Sequence, residues 1–260
     1  MPAVNPENLR LRIQSVLVLL GDPRRFTRAC YELLEFYADR TKRRNITMGH
    51  VETARVLRVS RPVLRTLCNE IQHFNHVEKA DWLEAAEIMW NTGVREGRSV
   101  AACLLNRAAL EDVPIYAEAW AEACEDVVAL ERLAADGLSA WRDENPDVLL
   151  QVLKRWIDDQ RLQVRHLALL LITSMTGDST FDNYLPEVFR ILHGISAKVR
   201  GGSIHSLYGL MRRLAKQSPA ETAKFLLDES KAGHPGVKRL IRNTIESLPD
   251  NYREAISHAL

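Results

Sequence analysis

The sequence predicts an all-α fold, a right-handed α-solenoid in which helix pairs stack around a concave groove. Three observations predict it. The stretch from Trp156 to Met175, WIDDQRLQVRHLALLLITSM, places Leu162, Leu167, Leu170 and Ile172 at near-helical spacing, and Val164, Leu169 and Leu171 widen the apolar stripe. A helix this apolar belongs inside a stack, covered on more than one side. Amphipathic helices come in pairs that recur roughly every 35–40 residues, about six pairs in all. Strand-like alternation of apolar and polar residues is not found.

The elements follow in order. Residues 6–20 form a first helix, with Leu9, Ile13, Val16, Leu17 and Leu20 on one side and Gly21 at its end. Asp22-Pro23 supply a cap and a first-turn proline for a second helix through about Thr41, lined by Phe26, Cys30, Leu33, Leu34 and Tyr37. The run Lys42-Arg43-Arg44 closes it at a negative helix end. Thr47 starts the next helix, and Ser60-Arg61-Pro62 another that carries Val63, Leu64, Leu67 and Ile71. Asp81 to Asn91 is a bulky helix ended by Gly93, and its partner, Ser99 to Leu110, is rich in small residues, which suits close stacking. Asp112 to Leu130 reads as one helix containing Trp120, a short piece reaches Trp141, and Asn145-Pro146-Asp147 cap the helix that ends at Trp156. Asp158 or Asp159 opens the central helix as its N-cap, and small Ala168 lets a neighbour approach closely. Asp178 to His193 pairs with Ser196 to Lys216, which Gly201-Gly202 interrupts near its start. Ser218-Pro219-Ala220-Glu221 is a capping box, Pro235 opens the next helix, and Pro249-Asp250 a last short one.

Composition narrows the function. No apolar run approaches the length of a membrane span, and the N-terminal MPAVNPENLRLR lacks a signal-peptide pattern, so a cytoplasmic protein is expected; a monomer is also expected. Cys30, Cys68, Cys103 and Cys124 are far apart in apolar helical contexts and read as buried thiols, not disulfides or a zinc site. With no zinc-type His/Glu motif, phosphate loop or dinucleotide fingerprint, neither metal nor cofactor is expected. The net charge of +1 argues against a uniformly basic nucleic-acid coat. Its distribution is uneven: residues 1–75 carry 13 Lys/Arg against 7 Asp/Glu, residues 76–160 carry 8 against 18, and residues 161–260 carry 14 against 9. Two basic ends flanking an acidic middle could hold a polyanion across a curved body.

The order of Asp158 or Asp159, Val164-Arg165, Ala168 and the leucines that follow resembles the second helix of a HEAT repeat. From about Leu57 onward the segments VLRVSRPVLRTLCNEI, IMWNTGVREGRSVAACLL, WIDDQRLQVRHLALL, AKVRGGSIHSLYGLMRRLAKQSPAETAKFLL and PGVKRLIRNTIESL resemble, in order and spacing, the HEAT-like alkylpurine DNA glycosylases, the AlkD-like group of DNA alkylation-repair proteins. The resemblance implies one repeat domain over 1–260, with an N-terminal helix pair at 1–45 and AlkD-like repeats at 46–260. It also implies that the groove holds duplex DNA by its backbone, while an aromatic cleft with an Asp promotes loss of a cationic methylated purine. A carboxylate there stabilises the developing oxocarbenium charge, and aromatic faces favour the cationic base.

Carried onto this chain, the first cleft tryptophan falls on Trp120, and the carboxylate position four residues on holds Cys124. A thiol at its usual pKa cannot replace that charge. On a continuous helix Glu125 and Asp126 would lie about 140° and 240° around from Trp120, against about 40° for Cys124. They enter the cleft as catalytic candidates, with Trp120, only if the helix is distorted. The second tryptophan falls on Gly209, beside Tyr208, and the following arginine on Arg212; a further family arginine falls on Arg165 or His166. Lys198 and Arg200 beside Gly201-Gly202 suit a phosphate site at a helix start, and Arg213 extends the basic set. The resulting DNA-binding candidates are Arg165, His166, Lys198, Arg200, Tyr208, Arg212 and Arg213. These features predict a DNA-binding protein that recognises damaged or distorted DNA through its backbone, with base excision absent or much weakened. The alternative is a HEAT-type protein-interaction scaffold with no nucleic-acid role.

Overall fold

Apolar residues at helical spacing can be buried here only by packing helix on helix. In the computed structural model, which describes residues 5–39, 55–75 and 77–258, sixteen α-helices and a few 3-10 and π turns do so, and no strand occurs among the described residues. The expected helix end near Thr41, the run Lys42-Arg43-Arg44 and the helix start at Thr47 lie outside the described residues. The contacts divide the chain into two compact units, residues 1–144 and 145–260.

The first unit contains α1 (Pro6–Leu17), α2 (Pro23–Phe36), α3 (Arg61–His73), α4 (Lys79–Asn91), α5 (Arg95–Leu105), α6 (Val113–Glu122), α7 (Val127–Arg132), a π turn (Leu133–Gly137) and α8 (Ser139–Glu144). Polar caps start the early helices. Asn5 accepts from the N–H groups of Glu7 and Asn8, and Asp22 from that of Arg25. α1 packs on α3, α3 on α5, and α5 on α7; α2 packs on α4. α5 is the centre of this unit, its small residues Ala101 and Ala102 fully buried against its neighbours. The π turn comes so close to α5 that a Cβ on Gly137 would stand 3.3 Å from the Ala102 carbonyl oxygen. Buried Glu96 ties in the preceding segment by accepting from the backbone N–H groups of Leu57, Arg58 and Val59.

Two expectations are corrected in this unit. The continuous helix from Asp112 to Leu130 is two helices, because Asp126 turns its side chain back to cap α7 and the backbone leaves helical geometry there. The angular placement of Glu125 and Asp126 around one helix therefore does not apply. Cys68 and Cys103 are not buried free thiols: α3 and α5 hold their Cα atoms 5.7 Å apart, within bonding range, and the pair forms a disulfide. Cys30 and Cys124 remain free and buried. Burial pushes the Cys30 thiol up to about 12, which makes it inert near neutral pH.

The second unit contains α9 (Pro146–Asp158), α10 (Leu162–Met175), a 3-10 turn (Ser179–Tyr184), α11 (Leu185–Ile191), α12 (Ile195–Lys198), α13 (Ser203–Gln217), α14 (Pro219–Ala232), α15 (Val237–Thr244), a second 3-10 turn (Ile245–Ser247) and α16 (Asp250–His258). One row runs α10, α13, α15 and the other α9, α11, α14, α16. As expected for a stacked helix, α10 is buried from Val164 to Ile172, and α13 packs along it. Leu162, counted in the apolar stripe, is instead 48 % exposed at the first turn. Neither Asp158 nor Asp159 caps α10; Arg161 occupies the N-cap, and Asp159 accepts from its backbone N–H and binds its guanidinium. Those hydrogen bonds hold the Asp159 carboxyl at about 2. Gly201, at φ 59, ends the expected Ser196–Lys216 helix as two pieces, α12 and α13. Ser218 precedes α14, but its side chain makes no capping bond.

Candidate nucleic-acid interface

Cations that face water and lack carboxylate neighbours are the elementary requirement for holding phosphates. α13 and α15 supply them. Neither sequence, SIHSLYGLMRRLAKQ or VKRLIRNT, contains an acidic residue. Leu207, Leu210, Met211 and Leu214 turn one face of α13 into the core, and spacings of four, three and four residues put His205, Gly209, Arg212 and Lys216 along the opposite stripe. On α15, Val237, Leu240 and Ile241 are buried, which leaves Lys238, Arg239 and Arg242 exposed.

The two helices pack on each other. Arg212 Nε donates to the Asn243 carbonyl in the last turn of α15 (3.0 Å), and Arg213 Nη1 to the Thr173 carbonyl in the last turn of α10 (3.2 Å). Both guanidinium groups thus sit at negative helix ends and still face solvent. Arg200 is exposed just before α13, whose first turn has no side-chain cap. Tyr208 is half-buried beside the stripe, edge-on to His205. Lys198 is ion-paired with Asp158. Lys238, Arg239 and Arg242 went unnoticed in the sequence; the signal that could have found them is three cations without one acid across eight residues.

Arg165 and His166 are placed differently. Arg165 is 7 % exposed, and its guanidinium donates to the carbonyls of Ile157, Asp159 and Lys198. His166 is buried, its Nε2 sharing a hydrogen bond with Ser206 Oγ on α13 (2.7 Å). Burial pushes the His166 imidazole down, which keeps it neutral at pH 7.

In the first unit, the aromatic candidate lies in a packed cluster. Trp120 is 6 % exposed and stacks on Trp90 with ring centroids 4.6 Å apart, while Tyr116 meets it edge-on. Arg98 stands over Trp90 and donates to Cys124 Sγ. Burial pushes the Cys124 thiol up, against the opposing pull of Arg98. The Asp126 side chain is 2 % exposed; one oxygen accepts from Arg95 Nε at 2.8 Å and the other from the Val128 N–H. Glu125 is exposed, outside this cluster of hydrogen bonds. Elsewhere in the unit, a cleft of about 900 Å³ is lined by residues that include Arg61, Arg65, Asn69, Gln72 and Asn106.

A family model described as DNA alkylation repair enzyme matches residues 31–241. The chain belongs to this family. No match to a curated protein or to a solved structure was found. The family match runs through both units and takes in the Trp120 cluster, α13 and α15 as far as Ile241. Membership in the DNA alkylation repair family supports a role in DNA repair. No helix among the described residues is long and apolar enough to cross a membrane.

Gly209 sits mid-helix in α13, half-buried, and a Cβ built on it meets nothing within 4 Å. Glycine inside a helix costs about 1 kcal/mol relative to alanine. Gly209→Ala is therefore expected to stabilise the protein by up to about 1 kcal/mol, measured as a higher urea midpoint.

Proposed function

We propose that this DNA alkylation repair family member binds duplex DNA through its phosphates, recognises damaged or distorted DNA by its backbone, and excises bases weakly or not at all. The observation that carries the binding is that α13 and α15 contain no acid and expose Arg212, Lys216, Lys238, Arg239 and Arg242, which no ion pair engages among the described residues. Arg200 adds an exposed cation at the start of α13, whose first turn has no side-chain cap. Arg213 contributes through the donors it does not spend on Thr173. Lys198, Arg165 and His166 support the surface from beneath, by holding the segments that present it.

Weak excision is supported by the use already made of the candidate groups. Trp120 spends one ring face on Trp90, Cys124 carries no charge, and both oxygens of Asp126 are committed to Arg95 and Val128. A carboxylate aimed at a developing cation needs a free oxygen facing the sugar.

Fluorescence anisotropy with a labelled duplex over a salt series tests the binding. The logarithm of the affinity is expected to fall linearly with the logarithm of salt concentration. Changing Arg200, Arg212 and Arg239 together to Ala is expected to reduce the slope by about 0.9 for each phosphate that is no longer neutralised. No measurable affinity for duplex at low salt, or a slope unaltered by the triple change, would refute the reading.

A further inference from the structure

We propose that His193, Glu229 and His234 form a binding site for a divalent transition metal of the zinc type. The three residues come from separate segments of the second unit: the turn after α11, the last turns of α14, and the α14–α15 connection. Their ligand atoms all lie within 4.8 Å of one another. No sequence motif announces the group, because the fold and not the spacing assembles it.

Two buried atoms point to the ligand. The Glu229 side chain is 0 % exposed. Its Oε1 accepts from the Gly194 N–H at 2.8 Å and meets His193 Nδ1 at 2.8 Å, but its Oε2 is buried without a hydrogen-bond partner. His234 Nε2 is likewise buried and unpartnered. An orphaned carboxylate oxygen and an orphaned imidazole nitrogen each carry a desolvation cost, and a protonated His193 relieves neither. A cation among the three residues satisfies both at once.

The donor set selects the metal. Two imidazoles and one carboxylate suit zinc and its first-row neighbours, whereas magnesium and calcium take oxygen ligands. The backbone fixes two of the three ligands. Gly194 in the left-handed region (φ 70) turns the chain directly after His193 and donates to Glu229. Gly236 (φ 85) presses the α14–α15 connection against Ser196, where a Cβ would stand 2.8 Å from the Ser196 carbonyl oxygen. His193 is 58 % exposed, so its ring is free to close to the about 2.0–2.1 Å of a zinc–nitrogen bond. The same exposure opens a fourth coordination position to solvent, for water or a small anion.

The test uses the full chain without a histidine tag, stripped by a chelator and titrated with Zn²⁺ against a chromophoric chelator. One Zn²⁺ per chain is expected, unaffected by excess Mg²⁺, with a higher melting temperature. Cobalt in its place should give the intense visible bands of a four-coordinate site. His193→Ala and His234→Ala should each weaken binding by more than the roughly 10- to 100-fold that loss of an outer partner of a ligand costs, and should abolish the cobalt bands. His193 is exposed, so His193→Ala keeps the fold, and His205→Ala is the control that leaves binding unchanged. No stoichiometric uptake, or uptake that survives His193→Ala, would overturn the proposal.

Discussion

Replacing Arg165 with Met is expected to lower the unfolding free energy by roughly 3–5 kcal/mol. The guanidinium lies at 7 % exposure and donates to three carbonyls, those of Ile157 in α9, Asp159 before α10 and Lys198 at the end of α12. Methionine fills much of the volume but donates nothing, so one buried and two part-buried acceptors lose their partner together. Each lost bond to a charged donor is worth about 1.5–3 kcal/mol, and partial relaxation keeps the total below the simple sum. Arg200→Ala is the comparison, because an exposed cation outside the core changes stability by no more than about 0.5 kcal/mol. Urea unfolding of the two variants separates the roles: Arg165→Met moves the midpoint and Arg200→Ala moves DNA affinity. An Arg165→Met protein of native stability with impaired DNA binding would make Arg165 a phosphate contact instead.

Arg165 shows what the sequence can and cannot disclose. The helix carrying it was legible, because apolar residues at a period near 3.6 report local physics. Its acceptors come from three segments that only the fold brings together, so its change from groove residue to internal brace left no local trace. The same holds for the Cys68–Cys103 pair and for Trp90 against Trp120, each joining helices that are adjacent in space but not in sequence. The break between α6 and α7 was partly legible, since an Asp preceding an apolar run is a cap signal. A smooth apolar pattern over 113–130 concealed it. The basic surface was half legible: Arg212 and Arg213 lie in a cationic run, while Lys238, Arg239 and Arg242 became meaningful once α15 packed on α13.

Asp126→Ala is expected to destabilise the first unit by roughly 1–3 kcal/mol, because the buried carboxylate's hydrogen bonds to Arg95 and to the start of α7 are lost together. Its carboxylate, 2 % exposed, binds Arg95 at 2.8 Å and caps α7 through the Val128 N–H at 3.1 Å. Loss of the cap alone contributes about 1 kcal/mol. Asp126→Asn retains an oxygen for Val128 and loses the charge facing Arg95, so a smaller loss is expected. Glu125→Ala, at an exposed position, should stay within about 0.5 kcal/mol of the parent. These stabilities give meaning to an excision assay in which methylated duplex DNA is incubated with each protein and free methylpurine is measured. A carboxylate that stabilises the departing base's sugar cation is worth about 100- to 1,000-fold in rate. The parent protein is expected to release base at or near the spontaneous rate, and all three variants to match it wherever they remain folded. Release well above that rate, abolished by Glu125→Ala in a protein of native stability, would restore an active glycosylase with Glu125 as its carboxylate. Release abolished by Asp126→Asn at native stability would mean that Asp126 leaves Arg95 to act on DNA. Retained DNA binding without release is the outcome that the commitments of Trp120, Cys124 and Asp126 predict.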